Sequence, residues 1–368
     1  MLDVSVVLPT YNEAENVPIM VKQIHGVLND SGIDGEIIVV DDDSPDKTGE
    51  VADEIAKDYP VQVIVRKKDR GLSRAVLEGF NRSEAKVCIV MDADGSHPVE
   101  KLPEMIKPIL SGDADATVGT RYIDDGGISD WPWYRLLISR FAGLLAFGVS
   151  RLSDPTSGFM GIRRDKLEGQ DFNPIGWKIV LEIIVKASPL TMKEVPIVFK
   201  DREHGESKMS TKENWNYILH LLSLYNHKFK SIFEFIKFGL VGFSGVFVDM
   251  LAVILLKEIF AYDTRLCAFF GFSVAVTYNY VLNRSWTFDG AKSIPVYISY
   301  PKYILSSSGG FLIRLLLVHV LITKAGLDAG YWYIVTNLVG IIAGMLFNFI
   351  TSKYFVFKQI SSEKVTNS

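Results

Sequence analysis

Residues 329–352, AGYWYIVTNLVGIIAGMLFNFITS, run for 24 residues without a charged side chain. At about 1.5 Å of rise per helical residue, such a stretch crosses the roughly 30 Å of hydrocarbon in a bilayer. Three more apolar segments precede it, near 235–256, 266–283 and 302–323. The interiors of the first and third hold one charge apiece, Asp249 and Arg314. One soluble core does not absorb four such segments in a row, so residues 231–358 are expected to form a membrane domain of four helices, followed by a tail at 359–368. Residues 231–368 carry 7 acids and 11 Lys or Arg, which leaves 36 acids and 28 bases for residues 1–230. An acidic first part argues against nucleic acid as a partner. Any phosphate it binds must be met by local cations or a metal. The start, MLDVSVVLPTYNE, has no charged lead into a long apolar run and does not read as a secretory signal. Cys88 and Cys267 are the only cysteines, both in apolar surroundings, so no disulfide framework is expected.

The membrane part repeats itself. KFGLVGFSGVFVDMLAVILL aligns with KYILSSSGGFLIRLLLVHVL, matching Gly245 to Gly310. NYVLNRSWTF aligns with NFITSKYFVF, matching Asn279 to Asn348 and Phe288 to Phe357. Gly340 and Gly344 offer a small-residue face for close helix approach. Asp249 falls opposite Arg314 in the alignment. Charges in lipid are costly unless paired, so the two are expected to face each other in the bundle. Lys228, Lys230, Lys237, Arg284, Lys292, Lys302, Lys353 and Lys358 lie at one set of helix ends, and Lys257, Arg265 and Lys324 at the other. That excess predicts both termini, and whatever precedes the spans, in the cytoplasm.

The first 230 residues alternate Val/Ile-rich runs with helical spacing. Strands are predicted at DVSVVLPTY, EIIVVDDDS, VQVIVR, KVCIVMDAD, ADATVGTRY and KEVPIVF. Helices are predicted at ENVPIMVKQIHGVLND, DKTGEVADEIAKDY and GLSRAVLEGFNRSEA. Ser44 followed by Pro45 reads as a helix entrance. The alternation predicts a doubly wound, mostly parallel sheet, whose ligands lie beyond the carboxyl ends of its strands. The polar clusters Tyr11-Asn12-Glu13, Asp41-Asp42-Asp43 and Asp92-Ala93-Asp94 all fall at such ends. No glycine-rich dinucleotide fingerprint or phosphate-loop lysine is present. Two carboxylates holding a divalent ion are the other common way to hold a diphosphate. The bland alternative, acids at strand ends simply facing water, loses weight because three clusters share one rim.

VVLPTYNEAENV, IIVVDDDSPDKT, RGLSRAVLEGF, VMDADGSHP, GTRY and DPTSGFMGIRRD together resemble, in order, family 2 glycosyltransferases of GT-A fold, and most nearly the dolichyl-phosphate mannose synthases. The resemblance covers residues 1 to about 210. It implies that Pro9, Tyr11, Glu13 and Val40 line a nucleotide pocket, with Asp42 near base and ribose. It implies that Asp92 and Asp94 hold Mg²⁺ or Mn²⁺, with Ala93 bringing its backbone to the same ligand. Ser96 stands where many members keep a glutamine; as a metal ligand it would have to reach directly or through water. His97 reads as a structural loop residue. Arg121, Arg135, Ser139, Arg202 and Lys208 are implied at the acceptor phosphate and donor diphosphate. Arg suits that task through its planar fork. Asp154 occupies a region where other members keep a catalytic acid, and is expected here to shape the pocket. The Gln-x-x-Arg-Trp of processive synthases is absent, which implies transfer of single sugars. Residues 231–358 resemble the small GtrA-like membrane domains.

The chemistry implied is transfer of mannose from GDP-mannose to dolichyl or polyprenyl phosphate. Such a phosphate is mostly a dianion at neutral pH and is its own nucleophile. In-line attack would invert the sugar. UDP-glucose as donor, and a lipid-linked-sugar flippase role for the membrane half, are the alternatives. Two amphipathic stretches would hold the site at the bilayer surface. In WPWYRLLISRFAGLLAFGVSRL, residues 131–152, Arg135, Ser139, Arg140, Ser150 and Arg151 gather opposite Leu137, Ile138, Phe141, Leu144, Leu145 and Leu152, as in helices that lie in the membrane interface. The second, 210–230, opens with Ser210 and Glu213 as a capping box.

Overall fold

The structure, a computed structural model, describes residues 1–129, 131–200, 211–260, 262–325 and 332–358. It divides into two compact units, Met1–Lys228 and Phe229–Ser368. In the first, β1 (Val4–Thr10), α1 (Val17–Asp30), β2 (Gly35–Asp41), α2 (Thr48–Ile55), β3 (Val61–Val65), α3 (Leu72–Arg82) and β4 (Val87–Val90) alternate as the sequence predicts. Then come α4 (Leu102–Leu110), β5 (Ala116–Thr120), β6 (Gly127–Ile128), α5 (Trp133–Ala146), β7 (Met160–Arg163), α6 (Ile179–Lys186), β8 (Met192–Pro196), β9 (Val198–Phe199) and α7 (Thr211–Lys228). Seven strands form one sheet in the order β3-β2-β1-β4-β7-β5-β8. Every neighbour pair is parallel except those made by β7. All of β1 is buried, because successive side chains enter opposite layers. Val4, Val6 and Leu8 pack into the layer of α1 and α4. Val7 joins Ile38, Val40 and the layer of α3 and α6.

Two sequence expectations change here. The antiparallel strand β7 was not predicted. Gly161 at its centre lets it slot between neighbours, since a Cβ there would come within 2.5 Å of Ile89 and 2.8 Å of Thr117. Ser44-Pro45 does not start a helix. The Ser44 amide and hydroxyl both donate to Asp41, and α2 begins at Thr48, whose amide donates to Asp46 at 3.0 Å.

The predicted amphipathic stretches are helices, the first shorter than expected. α5 ends at Ala146, and Ser150 is buried beyond it. Leu137, Ile138, Phe141, Leu144 and Leu145 are exposed on one side of α5, and Trp215, Ile218, Leu219 and Leu222 on one side of α7. Leu221 and Leu224 of α7 pack with Ala146, Val149, Leu181 and Val185. Tyr217 and Tyr225 hydroxyls and the Lys228 ammonium donate to the carbonyls of Ala142, Leu145 and Val149, clasping α7 along the end of α5. Ser210 lies outside the described residues.

The second unit is two helical hairpins, α8 (Lys230–Phe260) with α9 (Thr264–Leu282), and α10 (Val296–Ala325) with α11 (Trp332–Thr351). Among the described residues three helices are long and apolar enough to cross a membrane: Lys230–Phe260, Val296–Lys324 and Leu338–Val356. α9 is helical where the remaining apolar segment is predicted. The repeat is visible in the packing. Asn279 lies against Gly245 in one hairpin and Asn348 against Gly310 in the other, each where a Cβ would collide. Each hairpin ends in a five-residue π-helical turn, Asn283–Thr287 and Ser352–Val356. The expected Asp249–Arg314 pair does not form among the described residues. Asp249 lies against Gly271 of its own hairpin, and Arg314 against Gly340 of its own.

Because Asn348 occupies the space a Cβ at Gly310 would need, Gly310→Val should destabilise this unit by about 1–3 kcal/mol. Gly242, with nothing within 4 Å of a built Cβ, is the control. Thermal unfolding in detergent should show a lower midpoint for Gly310→Val and little change for Gly242→Ala.

Candidate active site

The carboxyl ends of β1, β2 and β4 form the rim. Pro9 and Val40 are buried at the ends of β1 and β2, and Tyr11 stands exposed above them. Asn12, with a left-handed φ of 63°, turns the chain so that three successive amides cross to the next loop. The amides of Asn12, Glu13 and Ala14 donate to Ser44, Thr48 and Asp46 at 3.0, 2.9 and 3.1 Å. Asp41 is consumed by Thr10 and Ser44. Asp42 accepts the Gly71 amide at 2.6 Å and lies 3.1 Å from Arg66. Its buried carboxylate thus fixes the β3–α3 loop at the rim.

Beyond β4 the chain turns through Asp92, buried Ala93 and Asp94 to Gly95, which takes a left-handed φ of 74°. Asp94 is 5 % exposed and accepts the Ser96 amide at 3.1 Å, which curls the loop over its carboxylate. His97 Nδ1 accepts the Asp92 amide at 3.0 Å, and its ring stacks on Phe159. Burial holds His97 below the usual imidazole range, so it stays neutral. It is the loop-shaping residue the sequence suggested.

Asp92 faces a cavity of about 260 Å³ bounded by β4, β5, the 153–158 loop, α5 and α7. Arg121, Arg135, Ser139 and Lys178 share its wall with Trp131, Trp177, Phe199 and Tyr217. Arg121 is gripped by Asp154 at 2.6 Å (Nε) and 2.8 Å (Nη2), with Thr156 accepting a further bond at 2.9 Å. Burial alone would raise the Asp154 pKa, but Arg121 more than offsets it and holds the carboxyl below its usual range. The Arg121 guanidinium lies over Tyr122, Trp131 and Phe199. Arg135 lies 4.0 Å from the centre of the Trp131 ring. Tyr122 donates its hydroxyl to Ser139 at 2.8 Å, which fixes that side chain at the wall. Arg202 and Lys208 lie outside the described residues.

Residues 5–169 match the glycosyl transferase family 2 model, and residues 237–357 the GtrA/DPMS transmembrane domain. A dolichol-phosphate mannosyltransferase of Pyrococcus furiosus is 35 % identical over 96 % of this chain and 99 % of its own length. The chain belongs to the dolichol-phosphate mannosyltransferase family. The enzyme of that name from Saccharomyces cerevisiae is 38 % identical over 67 % of this chain and 96 % of its own. A polyprenol monophosphomannose synthase of Mycolicibacterium smegmatis is 39 % identical over 56 % and 80 %. This mannosyltransferase-family chain therefore has a GT-A catalytic sheet and an integral membrane domain.

The metal expected at Asp92, Asp94 and Ser96 can be tested against the donors. No cluster of three His, Cys, Asp or Glu side chains suited to an ion occurs among the described residues. A Mg²⁺ or Mn²⁺ that bridges a diphosphate needs only one or two carboxylates, the remaining oxygens being phosphate and water. The Ser96 hydroxyl is buried, has no hydrogen-bond partner among the described residues, and follows Asp94 by two residues. An orphaned oxygen beside a carboxylate suits a ligand or a metal-bound water, so the donor set fits. Lys178 was missed by sequence reasoning. It sits in IGWKIV, where neither periodicity nor a motif marks it.

Proposed function

We propose that this enzyme moves mannose from GDP-mannose to dolichyl or another polyprenyl phosphate, with inversion, using Mg²⁺ or Mn²⁺, on the cytoplasmic face of the membrane. The observation that carries the proposal is the single cavity in which Asp92 shares a wall with Arg121, Arg135 and Lys178. Pro9, Tyr11, Val40 and Asp42 lie at the adjoining strand ends and suit the nucleoside, with Glu13 on the latch between loops. A divalent ion at Asp92 and Asp94, with Ser96 near it, would neutralise charge on the leaving diphosphate. The acceptor phosphate needs no general base, because it is already a dianion. It does need cations that hold it in line with the sugar against the repulsion of the second anion. Arg121, locked by Asp154, and Arg135, on the Trp131 ring, offer rigid donors, with the Ser139 hydroxyl beside them. The aromatic walls around these groups lower the local dielectric and strengthen each such contact.

The exposed apolar sides of α5 and α7 carry Phe, Trp, Leu and Ile in unbroken rows. They fit helices resting in the headgroup layer, where a lipid phosphate presents itself. The bases at one set of helix ends support a cytoplasmic catalytic unit, the compartment in which nucleotide sugars are made.

Purified protein should be incubated with a polyprenyl phosphate, Mn²⁺ and labelled GDP-mannose or UDP-glucose in separate arms. Labelled lipid is expected from GDP-mannose alone, lost in chelator and restored by Mn²⁺. Product from UDP-glucose alone would overturn the donor assignment, and full turnover in chelator would overturn the metal.

A further inference from the structure

Three cations line the cavity, but they are not equivalent once their partners are counted. Arg121 spends Nε and Nη2 on Asp154, so its charge is largely cancelled before any substrate arrives. Arg135 is seated on the Trp131 ring. Lys178 differs from both. Its ammonium donates to the Thr156 carbonyl at 2.7 Å, and no carboxylate stands within ion-pairing distance among the described residues. A neutral acceptor orients a charge without neutralising it. An ammonium has three protons, so two remain for other acceptors. Burial, with the charge of Arg121 adding, pushes the Lys178 pKa down to about 8, as expected for a desolvated cation without a counter-ion. An arriving anion would remove that penalty.

We infer that Lys178 binds a phosphate oxygen of the substrates, its position fixed by the Thr156 carbonyl and its charge left uncompensated until phosphate enters. Thr156 then serves both cations, since its hydroxyl accepts from Arg121 while its carbonyl accepts from Lys178. The loop 154–156 thereby sets the spacing between the two. The anion is a phosphate monoester or a diphosphate, that is, the acceptor headgroup or the donor.

The inference rests on the transfer reaction proposed above, and the experiment separates the two. Lys178→Met and Lys178→Arg are compared with wild type for KM towards polyprenyl phosphate and towards GDP-mannose. Binding of farnesyl phosphate and of GDP is followed separately by quenching of tryptophan fluorescence, since Trp131 and Trp177 line the cavity. A charge-assisted hydrogen bond implies a roughly tenfold to hundredfold rise in KM, and in the matching dissociation constant, for Lys178→Met. Lys178→Arg should recover a good part of it. A rise confined to the acceptor arm assigns the monoester, and one confined to the donor arm assigns the diphosphate. Unchanged KM and binding in both arms for a folded Lys178→Met would overturn the inference, as would a loss that Lys178→Arg leaves wholly uncorrected while the variant remains folded. If wild type transfers no sugar but farnesyl phosphate or GDP binding still falls in Lys178→Met, the reaction proposed is wrong and the anion site stands.

Discussion

Asp94→Ala should lower the turnover number for lipid-linked sugar by about 10²–10³-fold or more, the range lost when a main electrostatic group of a transfer site is removed. Asp94 is suited to the larger effect of the two acids because it is nearly buried and held by the Ser96 amide, so its orientation is preset. Asp94→Asn keeps an oxygen for that amide and removes only the charge. If the acid mattered for folding alone, Asp94→Asn would keep its turnover. If its charge matters, both variants fall together. A second measurement does not depend on turnover. Mn²⁺ at 100 times its dissociation constant should stabilise wild type by about 2.7 kcal/mol through mass action, and that shift in the unfolding midpoint should vanish in both variants. Retention of both turnover and the Mn²⁺-dependent shift in Asp94→Ala would remove this carboxylate from the site.

What could be read in the sequence follows which forces act locally. Val and Ile runs buried on both faces betrayed the parallel strands, and the polar residues at their ends betrayed the rim, because burial and strand polarity leave a mark on every residue. β7 left a weaker mark. Its four residues lie inside DPTSGFMGIRRD, a motif read for its function, and its centre is a glycine chosen by its neighbours in space. Ser44 was misplaced because its hydroxyl had a better acceptor in Asp41, three residues back, than a helix start could offer. Lys178 was invisible for the same reason that it matters, since only the folded chain carries it beside Thr156. The Asp249–Arg314 expectation failed instructively. A repeat alignment identifies equivalent positions, and equivalent positions meet only when they lie on the symmetry axis. Here each charge packs on the matching glycine of its own hairpin, Gly271 or Gly340.

The largest stability effect is expected at Asp154. Its side chain is fully buried and Arg121 is 8 % exposed, so Asp154→Ala strands a guanidinium inside the protein. Breaking such a pair from one side costs about 3–5 kcal/mol, whereas replacing both partners with apolar side chains of similar size is often nearly neutral. Arg121→Met with Asp154→Leu should therefore unfold at a higher temperature than Asp154→Ala, although transfer is lost in both. The folded pKa of Asp154 lies below its unfolded value. The stability it contributes is then fully present above the ordinary carboxylate range and is lost only as pH falls through the lower, folded value. Wild type and Asp154→Asn should differ by a constant amount from pH 5 to 8 and converge only in strong acid; a difference that shrank around neutral pH would refute the assignment. The same contacts settle how Asp154 can take part in the chemistry. Oδ2 accepts from the Arg121 side chain and amide, and Oδ1 from Arg121 and Thr156. A carboxylate so occupied and so reluctant to take a proton is a poor base, and a phosphate dianion asks for none. Asp154 positions Arg121, and through Thr156 it positions Lys178.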